Sequence, residues 1–286
     1  ADQFDARATV VDAHTVKLST GETFSAKHIL VATGGTPFVP NIEGREHVIS
    51  SNDIFNLTEQ PKRFLVVGGG YIACEFAGIM NGLGSKVTQY YRGAQVLRGF
   101  DAEVQNFVAD EMRSKGIDLQ VGTDVQSIAK TDDGLLVTNT HGETLVVDQV
   151  LYATGRVPCT AGLGLENAGV KLGRKGEVLV DGYSQTNIPS IYAVGDVTDR
   201  VNLTPVAIVE GGAFVDTVFH GVPTQPDHEM IATAVFTQPE IGTVGMGEEE
   251  ASACEDIDVY KSVFRPMAHI LAGKSERMLM KLIVSK

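Results

Sequence analysis

Gly68-Gly69-Gly70-Tyr71-Ile72-Ala73 is the segment of this 286-residue chain whose residue types and spacing point most directly to chemistry. It reads G-x-G-x-x-A and follows the apolar run Phe64-Leu65-Val66-Val67. A turn of this kind, between a strand and a helix, cradles a pyrophosphate. Gly68 permits the tight bend, Gly70 lets the backbone approach the ligand, and Ala73 lets helix and strand pack closely. The helix that opens behind it points free N–H groups at the phosphates. Alone the motif is weak; its sequel strengthens it. Val87-Thr88-Gln89-Tyr90-Tyr91 reads as the next strand. At the end of that strand an NAD-binding unit carries an acid for the ribose 2′-hydroxyl. Here stand Tyr91 and Arg92, with Arg98 further on. A guanidinium pairs with a 2′-phosphate that a carboxylate would repel. The segment therefore predicts a dinucleotide site that takes NADPH rather than NADH.

A second set of residues suggests another ligand. Ile188-Pro189-Ser190-Ile191-Tyr192-Ala193-Val194-Gly195-Asp196-Val197 reads as a buried strand ending in Gly-Asp. Gly195 admits a ligand, and the Asp196 carboxylate can accept hydrogen bonds from sugar or polyol hydroxyls. Gly-Asp by itself is a common turn. Beyond it, Leu203-Thr204-Pro205-Val206-Ala207 predicts a helix with Thr204 as N-cap and Pro205 in its first position. The positive end of that helix suits negative charge on a reduced flavin ring.

The elements that must position these residues repeat along the chain. The first copy reads Val16-Lys17-Leu18, then Gly21-Glu22-Thr23, then Ile29-Leu30-Val31-Ala32-Thr33-Gly34-Gly35-Thr36-Pro37. The second reads Leu135-Leu136-Val137, then Gly142-Glu143-Thr144, then Val150-Leu151-Tyr152-Ala153-Thr154-Gly155-Arg156-Val157-Pro158. Turn glycine and A-T-G glycine stand thirteen apart in both (Gly21 to Gly34, Gly142 to Gly155). Order and spacing together imply two copies of one unit: a doubly wound sheet, a β-meander and a returning strand that ends at a nucleotide. Only the second copy has its glycine turn. No such motif precedes Ala32-Thr33-Gly34, and the residues before the first meander are too few for a βαβ unit of about 30 residues. The alternative is a lone hairpin acting as a lid or arm. The sequence reads as cut at both ends, since the strand at Met278–Val284 runs almost to the last residue.

Helices are expected over 72–83, closed by Gly84, and from an N-cap at Asp101 through Lys115, ended by Gly116. A short helix is expected at 52–57. Strands are expected over 117–121, 125–130, 135–140 and 145–154. The texture turns strand-rich from about Ile231. The expected organisation is residues 1–40 and 157–228 in one nucleotide domain, 41–156 in the second, and 229–286 in the beginning of a further domain.

Composition sets outer limits. The chain is 43% apolar and 21% charged, ordinary for a protein that buries a sizeable core. A net charge of −13 argues against nucleic acid or an anionic membrane as partner. No run approaches the roughly 18 apolar residues of a membrane span. The start has neither a basic nor an apolar stretch of a signal peptide. Cys74, Cys159 and Cys254 show neither C-x-x-C nor metal-ligand spacing, so no metal site is expected. This low cysteine usage suits a reducing, cytoplasmic setting. Cys74 opens the phosphate-binding helix, where a thiol pKa can fall, but it reads as a packing residue.

Taken together, the chain resembles the two-dinucleotide flavoprotein disulfide reductases, and among them the glutathione reductase branch. The resemblance rests on Ala32-Thr33-Gly34-Gly35, on Gly68 to Glu75, and on Arg92 with Leu97-Arg98-x-Phe100-Asp101. It continues through Ala153 to Pro158, Tyr192 to Val197, Leu203 to Ala207, and Val235-Phe236-Thr237-Gln238-Pro239-Glu240-Ile241-Gly242. It implies an α/β fold with two dinucleotide-binding domains, the first incomplete, plus part of an α+β dimerisation domain. It implies FAD and NADPH as cofactors, a homodimer, and glutathione disulfide as substrate. Site residues follow position by position. Gly68, Gly70 and Ala73 would hold the NADPH pyrophosphate, and Arg92 and Arg98 its 2′-phosphate. Tyr71, followed by Ile72, would be a lid over the flavin. Glu75 would pair with a lysine outside this chain. Gly155 and Arg156 would lie near the nicotinamide half. Gly34, Gly195 and Asp196 would line FAD, with Asp196 on the ribityl chain and the Thr204 N–H at the flavin pyrimidine edge.

The chain departs from that pattern in four ways. It lacks the first glycine motif, the redox-active Cys-x₄-Cys, the His-Pro whose histidine is the acid–base catalyst of the partner subunit, and an arginine near Gly212. None of its seven histidines precedes proline, and His269 reads as a solvated or substrate-edge residue. The expectation is a parent enzyme that reduces glutathione disulfide and a chain that is inactive by itself. The alternatives are another FAD/NAD(P)H disulfide oxidoreductase, such as a dihydrolipoamide dehydrogenase, mercuric reductase or NAD(P)H oxidase, and a non-catalytic nucleotide-binding fragment.

Overall fold

The computed structural model describes residues 1–286. In chain order, β1 (Ala8–Val10), β2 (Thr15–Leu18) and β3 (Thr23–Ser25) form an antiparallel meander, followed by β4 (Ile29–Val31) and β5 (Gly35–Pro37). Then come β6 (Arg63–Val67), α1 (Tyr71–Gly82), β7 (Lys86–Tyr91), α2 (Ala102–Ser114) and β8 (Asp118–Val121). A second meander, β9 (Val125–Thr131), β10 (Gly134–Asn139) and β11 (Thr144–Val147), leads to β12 (Gln149–Tyr152) and β13 (Arg156–Pro158). β14 (Ile191–Ala193) and α3 (Thr204–Val215) follow. The chain continues through β15 (Thr233–Val235), β16 (Ile241–Thr243), α4 (Glu248–Cys254), β17 (Ile257–Phe264), α5 (Met267–Leu271) and β18 (Met278–Ser285).

The backbone divides into two compact units, Ala1–Thr36 with Arg156–Ile231, and Pro37–Gly155 with Ala232–Lys286. In the first, β4 pairs in parallel with β14, Leu30 opposite Tyr192. Its core is Val10, Ile29, Val31, Leu165, Val170, Val178, Ile191, Ala193 and Val197.

In the second unit a parallel sheet runs β12-β6-β7-β8. Successive side chains of a strand point to opposite faces, and β6 is apolar on both. Phe64 and Val66 face a core with Ala73, Ala77 and Met80 of α1 and Val108 and Met112 of α2. Leu65 and Val67 face the second meander, through Ile128, Leu135, Val137 and Val147. Both faces being covered is what makes β6 a continuous apolar run. Each such fully buried side chain contributes about 1.5–3 kcal/mol.

The repeat is structural. Both meanders are three-stranded and antiparallel, and the strand after each enters a parallel pair. Their A-T-G ends make matching bonds, each inside its own unit. Thr33 Oγ1 donates to the Cys159 carbonyl at 2.8 Å, and the Cys159 N–H donates to Gly34 at 2.9 Å. Thr154 Oγ1 donates to the Phe38 carbonyl at 2.8 Å, and the Phe38 N–H donates to Gly155 at 3.0 Å.

Three expectations are corrected. The strand expected over 145–154 is two strands, β11 in the meander and β12 in the parallel sheet. The break is Asp148, whose carboxylate takes Arg63 Nε at 3.0 Å and the Arg63 N–H at 2.7 Å. The helix α3 is capped by Leu203 in extended backbone, so Thr204 is its first residue and not its N-cap. The helix at 52–57 is a single 3-10 turn, Ile54–Asn56.

Candidate functional site

The glycine turn in the second unit is built from below. Gly68 has φ +140, and a Cβ there would collide with the Ala153 carbonyl and lie 3.2 Å from the Ala73 Cβ. Ala73 is fully buried, so this near contact is the close strand–helix packing that the motif requires. Gly70, by contrast, caps α1 without any side-chain bond, and a Cβ there meets no atom within 4 Å. That space is where a ligand can approach the backbone. Tyr71 and Ile72 begin α1 and pack, half-buried, against the core.

Three residues fasten this turn that the sequence did not mark as functional. Gln89, fully buried in the middle of β7, donates from Nε2 to the Gly68 carbonyl at 2.9 Å. The ring of Tyr91 lies where a Gly69 side chain would be, and also against Gly93. The Leu97 N–H donates to the Gly69 carbonyl at 2.6 Å, with Leu97 itself at φ +59 and buried. The loop carrying Arg92 and Arg98 is thus bonded to the turn. Both arginines are exposed.

Cys74 is buried behind the turn, and burial pushes its thiol up to about 12 despite the Gln89 amide at 3.5 Å. Burial outweighs any lowering by the helix start. One oxygen of Glu75 is taken by the Phe236 N–H at 2.9 Å. The partner the structure gives Glu75 is therefore within this unit, at the end of β15. Gly155, at φ +122, also has open space where a Cβ would be.

In the first unit Gly34, Arg156, Gly195 and Asp196 lie around the A-T-G end. Arg156 donates to the Gly35 carbonyl, and its Nε lies 4.0 Å from Asp196 Oδ2. A Gly35 Cβ would be 3.5 Å from the Asp196 Cβ. Gly34 adopts φ +68 with nothing above it, and Gly195 adopts φ +73 with the Ala207 Cβ 3.3 Å from where its own would stand. Residues Gly195–Thr198 form a 3-10 turn that leads to α3. No side chain caps α3, and Thr204 is exposed at its first position. The unit therefore presents a carboxylate, two positive-φ glycines and an uncapped helix N-terminus.

A strand–glycine turn–helix beside an arginine loop in one unit and a strand-end Gly-Asp before a bare helix start in the other are features of an α/β nucleotide-binding fold. The chain belongs to the pyridine nucleotide-disulphide oxidoreductase family, whose model matches residues 2–211, and residues 231–286 match the dimerisation domain of that family. It is 48% identical over 283 residues to a glutathione reductase of Burkholderia cepacia, covering 99% of this chain and 63% of that protein. It is 49% identical to the chloroplastic/mitochondrial glutathione reductase of Pisum sativum, with 98% and 51% covered. A trypanothione reductase of Trypanosoma congolense is 45% identical, with 96% and 57% covered. Among solved structures, the HOCl-induced flavoprotein disulfide reductase RclA of Escherichia coli superposes with a TM-score of 0.92 at 28% identity, over 99% of this chain and 66% of that one. The chain thus spans between half and two thirds of the length of these relatives.

The family is named for a pyridine nucleotide, and the solved relative is a flavoprotein, so FAD and NADPH are the cofactors to test against the residues. The residues present fit both. The open space over Gly70, beside a loop with two exposed arginines, suits a phosphorylated dinucleotide. The Asp196 carboxylate and the uncapped α3 suit a polyol chain and an electron-rich ring. No helix is long and apolar enough to cross a membrane.

Proposed function

We propose that this chain is the NADPH-binding, flavin-contacting and interface-forming portion of an enzyme that reduces glutathione disulfide. Bound FAD supplies the two-electron step between a pyridine nucleotide and a disulfide. The chain's own residues bind and orient. Gly68, Gly70 and Ala73 seat the pyrophosphate, Arg92 and Arg98 select the 2′-phosphate, Tyr71, followed by Ile72, is the lid residue, and Gly155 lies toward the nicotinamide half. Gly34, Gly195, Asp196 and Thr204 take the flavin side. Residues from about 229 belong to the homodimer interface. The Leu97 to Gly69 hydrogen bond carries this reading, because it ties the arginine loop to the glycine turn.

The test is the double variant Arg92→Ala/Arg98→Ala in the full-length protein. Losing two charge-assisted phosphate contacts raises the NADPH KM about 100-fold, while the NADH KM changes less than about threefold. Equal losses for both nucleotides refute the assignment. The relatives include trypanothione reductases, so trypanothione disulfide is the comparison substrate; preference for it overturns glutathione disulfide. Cys74 is buried and the three thiols are free, with none paired to another. We infer that the 286 residues by themselves reduce no disulfide, and steady NADPH-dependent turnover by them refutes this.

A further inference from the structure

Glu210 is a charged residue on α3 with only 1% of its surface exposed. A buried carboxylate persists only where it is fully partnered, and this one is. Oε2 accepts the Gly195 N–H at 2.6 Å. Oε1 accepts Arg200 Nη2 at 2.9 Å and lies 2.8 Å from His228 Nε2. The bonds then close a ring around the Gly195–Thr198 turn. Thr198 Oγ1 donates to the Gly195 carbonyl at 2.8 Å, and Arg200 Nε donates to Thr198 Oγ1 at 3.2 Å. Both backbone polar groups of Gly195 are therefore fixed, the N–H from α3 and the C=O from within the turn. Gly195 itself is held at φ +73.

The ring joins two features that the proposed function places on the flavin. Asp196 follows Gly195 directly, and Thr204 opens the helix that carries Glu210 six residues on. His228 adds the segment after α3 to the same carboxylate.

Resting on that flavin-site reading, the geometry points to Glu210 as a positioning residue. It sets the Asp196 carboxylate relative to the N-terminus of α3, with Arg200 and His228 holding its charge in place. It touches no ligand itself. Preorganisation of this kind appears as affinity, because a loose turn must be ordered on binding.

The test measures FAD affinity in the full-length protein, by reconstituting apoprotein and following flavin fluorescence, with thermal stability read separately. Glu210→Ala raises the FAD dissociation constant about tenfold or more. Glu210→Gln keeps an acceptor for Gly195 N–H and recovers part of the loss. His228→Ala, at a more exposed position, gives a smaller rise and stands in should Glu210→Ala not fold. Phe214→Leu, in the apolar cluster with Tyr192 and Val194, lowers thermal stability and leaves FAD affinity within about twofold. The proposal is overturned if Glu210→Gln and His228→Ala both bind FAD like wild type, or if Phe214→Leu weakens FAD as much as Glu210→Ala does. Asp196→Ala separates the two levels. If it leaves FAD affinity unchanged, the flavin-site reading fails; if it weakens FAD and the Glu210 variants do not, only the positioning role fails.

Discussion

Lys281 Nζ stands 3.0 Å from each carboxylate oxygen of Asp101. That carboxylate is the N-cap of α2, accepting the Glu103 N–H at 3.0 Å and the Val104 N–H at 3.3 Å. It also accepts the Glu248 N–H at 3.0 Å, at the start of α4. The same ammonium reaches the carboxylates of Glu248 at 2.6 Å and Glu103 at 3.2 Å. A lysine on β18 thus holds the first turn of a helix that begins shortly after Arg98.

Only 7% of the Lys281 side chain and 12% of Asp101 are exposed. At such sites the loss of one partner leaves a buried charge unanswered. Lys281→Met is expected to destabilise the fold by about 3 kcal/mol, toward the value for breaking a buried pair and above the 0–1 kcal/mol of a surface bridge. Urea unfolding at pH 7 measures it, and a loss below about 1 kcal/mol would reduce the cluster to a surface decoration.

The pH dependence of that loss follows in sign. Burial works against the Asp101 anion, but the Glu248 N–H, the Lys281 ammonium and the Val104 N–H together hold its carboxyl below the ordinary value. A depressed acid stabilises above its unfolded pKa, about 3.9, and loses that contribution as pH falls through the folded one. Burial also works against the Lys281 cation, but the carboxylates of Glu248, Asp101 and Glu103 raise it. A raised lysine stabilises below its unfolded pKa, about 10.4, and loses that contribution as pH rises through the folded one. The difference between wild type and Lys281→Met should be flat from about pH 5 to 9 and shrink below about pH 4. Unfolding curves across that range check this; a difference that grows on acidification contradicts it.

The repeat and the glycine turn were legible because they depend on local chemistry: apolar runs, turn glycines and their spacing. What was not legible depends on contacts far along the chain. Nothing near Asp148 announces a strand break, since its partner Arg63 lies 85 residues away. Glu210 looks like a solvent-facing helix residue until Gly195 and Arg200 are brought to it. Glu248-Glu249-Glu250 opens α4 with no apolar period to betray a helix, and α5, Met267–Leu271, is barely one turn. The cap of α3 lies one residue before Thr204, because extended Leu203, not the Thr204 side chain, ends the preceding backbone.

The three thiols should separate by accessibility. Cys254 is exposed, Cys159 intermediate and Cys74 buried, its thiol pushed up to about 12 by burial. The thiolate is the reacting species. A maleimide at pH 8 should therefore label Cys254 first, Cys159 more slowly, and Cys74 only on unfolding. Peptide mass mapping over time checks the order, and early labelling of Cys74 would show that the helix start activates it after all.

The two outer glycines of the turn offer a separation of structure from binding. At Gly68, φ is +140 and a Cβ collides with the Ala153 carbonyl. Backbone has no flexible end to move aside, so Gly68→Ala costs about 2 kcal/mol or more of stability. At Gly70, φ is −79, and a Cβ meets nothing within 4 Å. Gly70→Ala should unfold within about 0.5 kcal/mol of wild type. Under the proposed function its methyl would occupy the space given to the pyrophosphate, so NADPH affinity should fall about tenfold. Calorimetric titration with NADPH, beside urea unfolding of both variants, reads the two effects independently. A Gly70→Ala protein that is stable and binds NADPH as wild type does would remove the pyrophosphate from this turn.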